Sequence, residues 1–133
     1  TDVLGPSLEH LYNYCEKKFS LKTVIMIADQ IIDRLQLFHS KNLVYRDVKP
    51  ANFLVGQGKK ADKIYIIDYQ LAQKYVDVDS SHKRLKEAPK GTQYGDELFR
   101  SIYAHLGLCN AIIMQSNPEE MTLSHWATCW CTF

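Results

Sequence analysis

Tyr45-Arg46-Asp47-Val48-Lys49-Pro50-Ala51-Asn52, followed by Ile66-Ile67-Asp68-Tyr69-Gln70, is the stretch on which the reading of this chain turns. Arg46 to Asn52 is polar and contains Pro50, which marks a loop. Transfer of a phosphoryl group needs few side chains, but in strict placement. A carboxylate must accept a hydroxyl proton, a cation must offset charge on the moving phosphoryl, and oxygen ligands must hold Mg2+ against nucleotide phosphates. A loop carrying Asp47, Lys49 and Asn52, beside a hairpin ending in Asp68, offers all of these. Each residue also has a plainer reading by itself. Asp47 and Asn52 bond their own backbone well enough to shape a turn, and Asp68 alone is an acid at a strand end. With Lys49 and Pro50 in place beside them, the pattern favours the chemistry.

Working outward, Leu43 to Tyr45 predicts a very short strand before the loop. Phe53 to Val55 and Ile64 to Ile67 predict two more after it. The connector Gly56-Gln57-Gly58-Lys59-Lys60-Ala61-Asp62 is rich in turn formers and favours a hairpin. Upstream, Val24, Ile27, Ala28, Ile31, Leu35 and Phe38 recur at spacings of three and four. With Ser20 as cap, they predict a helix to about Ser40. Ile25, Ile32 and Leu37 add apolar mass outside that stripe, so the helix should be buried on most sides. His39 falls in its last turn, where a cation suits the helix dipole. Leu4, Leu8, Leu11, Tyr12 and Cys15 mark a shorter helix capped by Ser7, after an extended lead-in from Asp2 to Gly5. Beyond Asp68 the periodicity fades. Val76 to Lys90 reads as an extended loop, and a last helix is expected from Pro118.

These segments together resemble the casein kinase 1 family of serine/threonine protein kinases. Leu4-Gly5-Pro6-Ser7-Leu8-Glu9 is similar to that family's segment after the hinge. Phe19-Ser20-Leu21-Lys22-Thr23-Val24 and Ala28-Asp29-Gln30 are similar to its next helix. His39-Ser40-Lys41-Asn42, the Tyr-Arg-Asp-Val-Lys-Pro loop and Tyr65-Ile66-Ile67-Asp68 continue the match. The likeness is dense over residues 1–75, with a weaker echo at Gly91-Thr92, Ser101-Ile102 and His105-Leu106-Gly107.

The resemblance implies an α+β, protein-kinase-like fold limited to a partial C-terminal lobe, mainly helical with a short β-hairpin around the catalytic loop. Residues 1–108 would be a partial kinase domain from hinge to activation segment, and 109–133 a divergent tail. Asp47 would be the catalytic base, and Lys49 would steady the γ-phosphate of ATP. Asn52 and Asp68 would hold Mg2+. The backbone at Asp2 and Leu4 would meet adenine, and Leu54 would line the floor of its pocket. Tyr45 replaces the commoner His of the loop, a change that occurs within this family. Arg46, which in many kinases meets a phosphorylated activation loop, is expected here to bond loop carbonyls instead. Substrates would be proteins bearing Ser or Thr, and Lys83-Arg84-Leu85-Lys86 would favour acidic or phosphorylated ones. The cluster also reads more plainly as a solvated charge run.

The chain departs from the family in three places. It contains no Gly-rich phosphate loop and no strand lysine, groups that cradle and position the nucleotide. It begins at Thr1 rather than Met, so residues before it are expected. The usual Asp-Phe-Gly reads Asp68-Tyr69-Gln70. If the third position needs a left-handed backbone, Gln70 is strained there by ~1–2 kcal/mol. Thr92 to Ser101 is longer than the family's pattern, and Asn110 to Phe133 looks unrelated to it. The chain by itself is therefore expected to be inactive. Two other readings stand beside the enzyme: a pseudokinase-like interaction fragment, and the product of a truncated or mispredicted gene.

The remaining features narrow the class. Across 133 residues, 46% are hydrophobic, 23% are charged and the net charge is +1. That balance argues against disorder, and against nucleic-acid binding driven by bulk charge. No apolar run approaches a membrane span, and no signal peptide is seen. Cys15, Cys109, Cys129 and Cys131 form no C-x-x-C pair, so they read as reduced thiols of an intracellular protein, cytoplasmic or nuclear.

Overall fold

Ser7 and Ser20 open the two helices, as their side chains predict. The computed structural model describes residues 3–74 and 96–99. In it the Ser7 hydroxyl accepts from the His10 amide and the Ser20 hydroxyl from the Thr23 amide, each at 3.2 Å. Each bond satisfies one of the N–H groups that a helix start leaves without a partner. Helix α1 spans Leu8–Tyr14 and helix α2 spans Leu21–Ser40. After α1 the chain turns through Glu16 and Lys17 (φ 55° and 58°), and after α2 through Asn42 (φ 58°). Asn accepts the left-handed region readily; Glu and Lys do so at a cost.

The chain divides into two units. The first comprises Thr1–Lys41 and Lys49–Gln70; the second comprises Asn42–Val48 and Leu71–Phe133.

In the first unit, strands β2 (Phe53–Val55) and β3 (Ile64–Ile66) form the expected antiparallel hairpin, with Phe53 opposite Ile66 and Val55 opposite Ile64. Its connector holds one 3₁₀ turn at Gly58–Lys60. The lead-in lies along the outer edge of β2. The Gly5 amide donates to the Val55 carbonyl (2.8 Å), the Val55 amide donates to the Pro6 carbonyl (3.1 Å), and Ser7 bridges to Leu54. Helix α2 packs on β3, and α1 packs on β2 and on the 3₁₀ turn Pro50–Asn52. Leu8, Ile27, Ile31, Leu35, Phe53, Ile64 and Ile66 are the buried apolar residues of this unit.

The apolar stripe of α2 is thus buried where the spacing put it, at Ile27, Ile31 and Leu35. Burial on most sides does not follow. Ile25, Met26 and Leu37 are 58%, 54% and 55% exposed. A two-stranded hairpin covers one side of a helix and leaves the others open. His39 also differs from expectation, because burial holds its imidazole below the usual histidine range. Burial disfavours the cationic form that would suit the helix dipole.

One polar side chain of α2 fixes the hairpin. The Gln30 amide donates to the Asp62 carbonyl and accepts from the Ile64 amide, both at 2.9 Å. It thereby imitates a strand neighbour for the start of β3, while Arg34 Nε donates to the Ile64 carbonyl (3.3 Å). We predict that Gln30→Ala destabilises the chain by ~1–3 kcal/mol, because the part-buried Ile64 amide then loses its acceptor. Denaturant unfolding checks this: a midpoint unchanged from wild type would show that the clamp contributes nothing.

In the second unit, β1 (Leu43–Val44) pairs antiparallel with β4 (Gln73–Lys74), Leu43 opposite Lys74 and Val44 opposite Gln73. Val44 and Tyr45 are buried. A 3₁₀ turn at Glu97–Phe99 is also described, with the Leu98 amide donating to an Asp96 carboxylate oxygen (3.0 Å).

Among the described residues no helix is long and apolar enough to cross a membrane, and Cys15 is an exposed free thiol. Asp2, the loop from Val76 with the basic cluster Lys83 to Lys86, the helix expected from Pro118, the other cysteines and the tail 109–133 lie outside the described residues.

Candidate active site

Pro50 shapes the loop that carries Lys49 and Asn52. Lys49 is extended (φ −151°, ψ 152°), and Pro50 begins a single 3₁₀ turn over Pro50–Asn52. Its ring fixes φ at a helical value, at a position where the missing N–H costs nothing. The Asn52 amide closes the turn on the Lys49 carbonyl (3.0 Å), and Asn52 is 4% exposed. Strand β2 starts at the next residue.

The hairpin then brings the two ends of the sequence signature together. The Ile67 amide donates to the Asn52 carbonyl at 3.0 Å, one rung beyond the Phe53–Ile66 pair. Asn52 therefore stands opposite Ile67, and Asp68 is the next residue along. Asp68 is exposed and has a left-handed backbone (φ 58°). Its Oδ1 accepts from the Gln70 amide (3.3 Å) in a local turn. Asp tolerates this region better than most side chains because it can bond its own backbone in this way.

The strain anticipated at Gln70 is absent, since Gln70 is not among the left-handed residues. The turn places that requirement two residues earlier, on Asp68. Tyr69 donates its hydroxyl to the Ile66 carbonyl (2.5 Å) and packs against Phe38, with ring centroids 5.6 Å apart and planes tilted by 31°. Tyr in place of Phe is thus accommodated with its polar end satisfied.

Leu54 and Leu4 are both half-buried. Leu54 sits at the middle of β2 opposite Tyr65, bridged on its other side by Ser7. Leu4 lies in the lead-in, and its carbonyl accepts from Gln57 Nε2 (3.0 Å).

Asp47 belongs to the second unit, whereas Lys49, Asn52, Leu54 and Asp68 belong to the first. Asp47 is 6% exposed. Just before it, Arg46 has a left-handed backbone (φ 66°). Its Nε donates to the Leu71 carbonyl (2.5 Å) and its Nη1 to Gln73 Oε1 (2.7 Å). The guanidinium thus does bond the chain that follows Asp68. Among the described residues no buried side-chain nitrogen or oxygen lacks a hydrogen-bond partner.

The donor chemistry in the first unit fits Mg2+. Asn52 offers an amide oxygen and Asp68 a carboxylate, both hard donors. Mg2+ usually takes one or two protein oxygens and fills its octahedron with water and phosphate. Among the described residues no three His, Cys, Asp or Glu side chains group into a closed metal cage.

Sequence reasoning missed four features: β4, the Gln30 clamp, the reach of Gln57 to Leu4, and the left-handed backbones of Arg46 and Asp68. Gln73 and Lys74 are two exposed polar residues with no alternation to mark a strand. Nothing in an isolated glutamine announces a partner 53 positions away.

A model of the protein kinase domain family matches residues 3–94, more than half of the chain. That stretch includes every residue singled out for the site except Asp2.

Proposed function

Because the chain belongs to the protein kinase domain family, a family that works with ATP and Mg2+, we propose that it derives from a serine/threonine protein kinase of the casein kinase 1 type. The reaction is transfer of the ATP γ-phosphate to Ser or Thr hydroxyls of proteins. The single observation that carries the reading is the Ile67–Asn52 rung, which sets Asn52 beside Asp68 at the end of the hairpin. In this reading Asp47 accepts the hydroxyl proton as the oxygen attacks phosphorus. The Lys49 ammonium offsets charge on the γ-phosphoryl. Asn52 and Asp68 hold Mg2+, which when bound neutralises the phosphate oxygens and fixes their orientation. The backbone at Asp2 and Leu4 meets adenine above Leu54. Lys49 favours a protein substrate, since small-molecule kinases often keep the Asp and Asn of such a loop without this lysine. Acidic or phosphorylated substrate sequences suit Lys83 to Lys86.

The 133 residues include no Gly-rich phosphate loop. Loss of even one preorganised donor costs ~10²–10³ in rate. We therefore propose that the chain by itself binds MgATP without measurable turnover. The same missing loop favours a second reading, a non-catalytic module that engages kinase partners.

Thermal unfolding of the purified chain separates these. A ligand that binds only the native state at a hundred times its Kd stabilises it by ~2.7 kcal/mol. A rise of several degrees with MgATP is expected, with no phosphate transfer to a Ser-containing protein. A cooperative transition that does not move would reject the nucleotide site and leave the interaction module.

A further inference from the structure

The segment that would face adenine is held at its far end by one side chain. Val3 to Ser7 contains no regular strand, yet it runs beside β2. Two backbone bonds between Gly5, Pro6 and Val55 fix it there. Their closeness depends on Gly5: a Cβ at that position would stand 3.0 Å from both Val55 Cγ2 and the Val55 carbonyl oxygen. Among the described residues the ladder ends at Gly5. The next group outward is the Leu4 carbonyl, and it accepts from Gln57 Nε2 at 3.0 Å.

Gln57 is well rooted for such a task. Its backbone is extended (φ −120°, ψ 154°) and precedes the 3₁₀ turn Gly58–Lys60. Its carbonyl accepts from the Lys60 amide (3.1 Å), and the preceding Gly56 amide donates to the Lys63 carbonyl (2.9 Å). A side chain rising from a fixed backbone loses less freedom when it bonds, so more of the bond's strength reaches its target.

We propose that Gln57 is a positioning residue for nucleotide binding. Its amide holds the Leu4 peptide in place at the edge of β2, so that the Leu4 backbone meets the purine without first being ordered by it. The inference rests on the kinase reading above. An edge segment that must be ordered on binding weakens affinity by the fraction of time it spends out of place. A clasp at Leu4 removes that loss and touches neither phosphate nor metal.

Gln57→Glu tests this with a side chain of the same shape that has lost its donor and sets a carboxylate against the Leu4 carbonyl. MgATP affinity is measured on the whole 133-residue chain by titration. Amide hydrogen exchange at Leu4 and Gly5 is followed without nucleotide, beside apo thermal unfolding. The expected result is faster exchange at Leu4 and Gly5, MgATP binding about three- to tenfold weaker, and an apo midpoint within about a degree of wild type. Gln57→Lys, which keeps a donor, should recover most of the affinity. Wild-type affinity in Gln57→Glu overturns the inference alone. A loss of affinity that follows a loss of apo stability, and that Gln57→Lys does not recover, overturns it in favour of a structural role. A wild-type chain that does not bind MgATP overturns the underlying reading and this one with it.

Discussion

Asp68→Ala is expected to abolish the Mg2+-dependent part of the thermal stabilisation by ATP. In the proposed site Asp68 is the one charged metal ligand of the first unit, paired with the neutral amide of Asn52. A neutral donor alone holds a strongly hydrated divalent cation poorly, because Mg2+ gives up its water reluctantly. Without the carboxylate, the nucleotide's phosphates lose the charge relief that the metal supplies and keep only that of Lys49. Two effects must be kept apart, since alanine also lacks the oxygen that accepts from the Gln70 amide and must adopt the φ of 58°. Both losses lower stability with no nucleotide present. Asp68→Asn separates them: asparagine tolerates the left-handed region and keeps the turn acceptor, but carries no charge. Asp68→Asn should therefore unfold close to wild type without ligand and show a much smaller rise with MgATP. Comparing each shift with its value in EDTA isolates the metal-dependent part. An undiminished Mg2+-dependent shift in Asp68→Asn would rule out Asp68 as the ligand.

The fold was legible where local chemistry decides the outcome. Ser7 and Ser20 cap helices because a hydroxyl beside a helix start has orphan amides to satisfy. Ile27, Ile31 and Leu35 are buried because one stripe of α2 must face the hairpin. Phe53 to Val55 and Ile64 to Ile66 pair because the connector between them is made of turn formers. What escaped the sequence depends on where distant parts of the chain meet. The partner of β1 is a polar dipeptide, Gln73–Lys74, whose strand identity comes from its neighbour and not from its own residues. The strain placed at Gln70 falls on Asp68, because the pairing of Ile67 with Asn52 fixes where the chain must turn. Gln30 and Gln57 are ordinary polar residues by type, and their bonds follow from helix and hairpin being brought together. Periodicity shows which face of a helix is apolar. It says nothing of how many neighbours will cover it, and so Ile25 and Leu37 read as core and are exposed.

Gly56→Ala should be the most destabilising single-methyl change in the hairpin, and the reason is space. Gly56 follows β2 and is buried where the connector folds back. A Cβ there would stand 2.8 Å from the Lys60 carbonyl carbon and 3.0 Å from Lys60 Cβ. The obstacle is mostly backbone, which cannot rotate out of the way. To make room, the turn Gly58–Lys60 must shift, or the Gly56–Lys63 bond that closes the connector must stretch. Overpacking of this kind costs ~1–3 kcal/mol and occasionally more. We place Gly56→Ala at the upper end, about 3 kcal/mol, which lowers Tm by roughly 10 °C or more in a chain of this length. Gly58→Ala, two residues away, provides the contrast. Gly58 has φ 58°, and a Cβ there would meet nothing within 4 Å. It suffers only the left-handed penalty, ~1–2 kcal/mol, which Gly58→Asn largely avoids. The two glycines are thus required for different reasons, one for room and one for conformation. Equal losses in the two alanine variants would show that the close approach at Gly56 is not a constraint on the fold. Because β2 (Phe53–Val55) joins Asn52 to Gly56 and pairs with the Gly5 segment on one side and β3 on the other, a shift at Gly56 also moves Leu54, Asn52 and the rung beside Asp68. Gly56→Ala should therefore weaken MgATP binding as well as the fold, whereas Gly58→Asn should leave both near wild type.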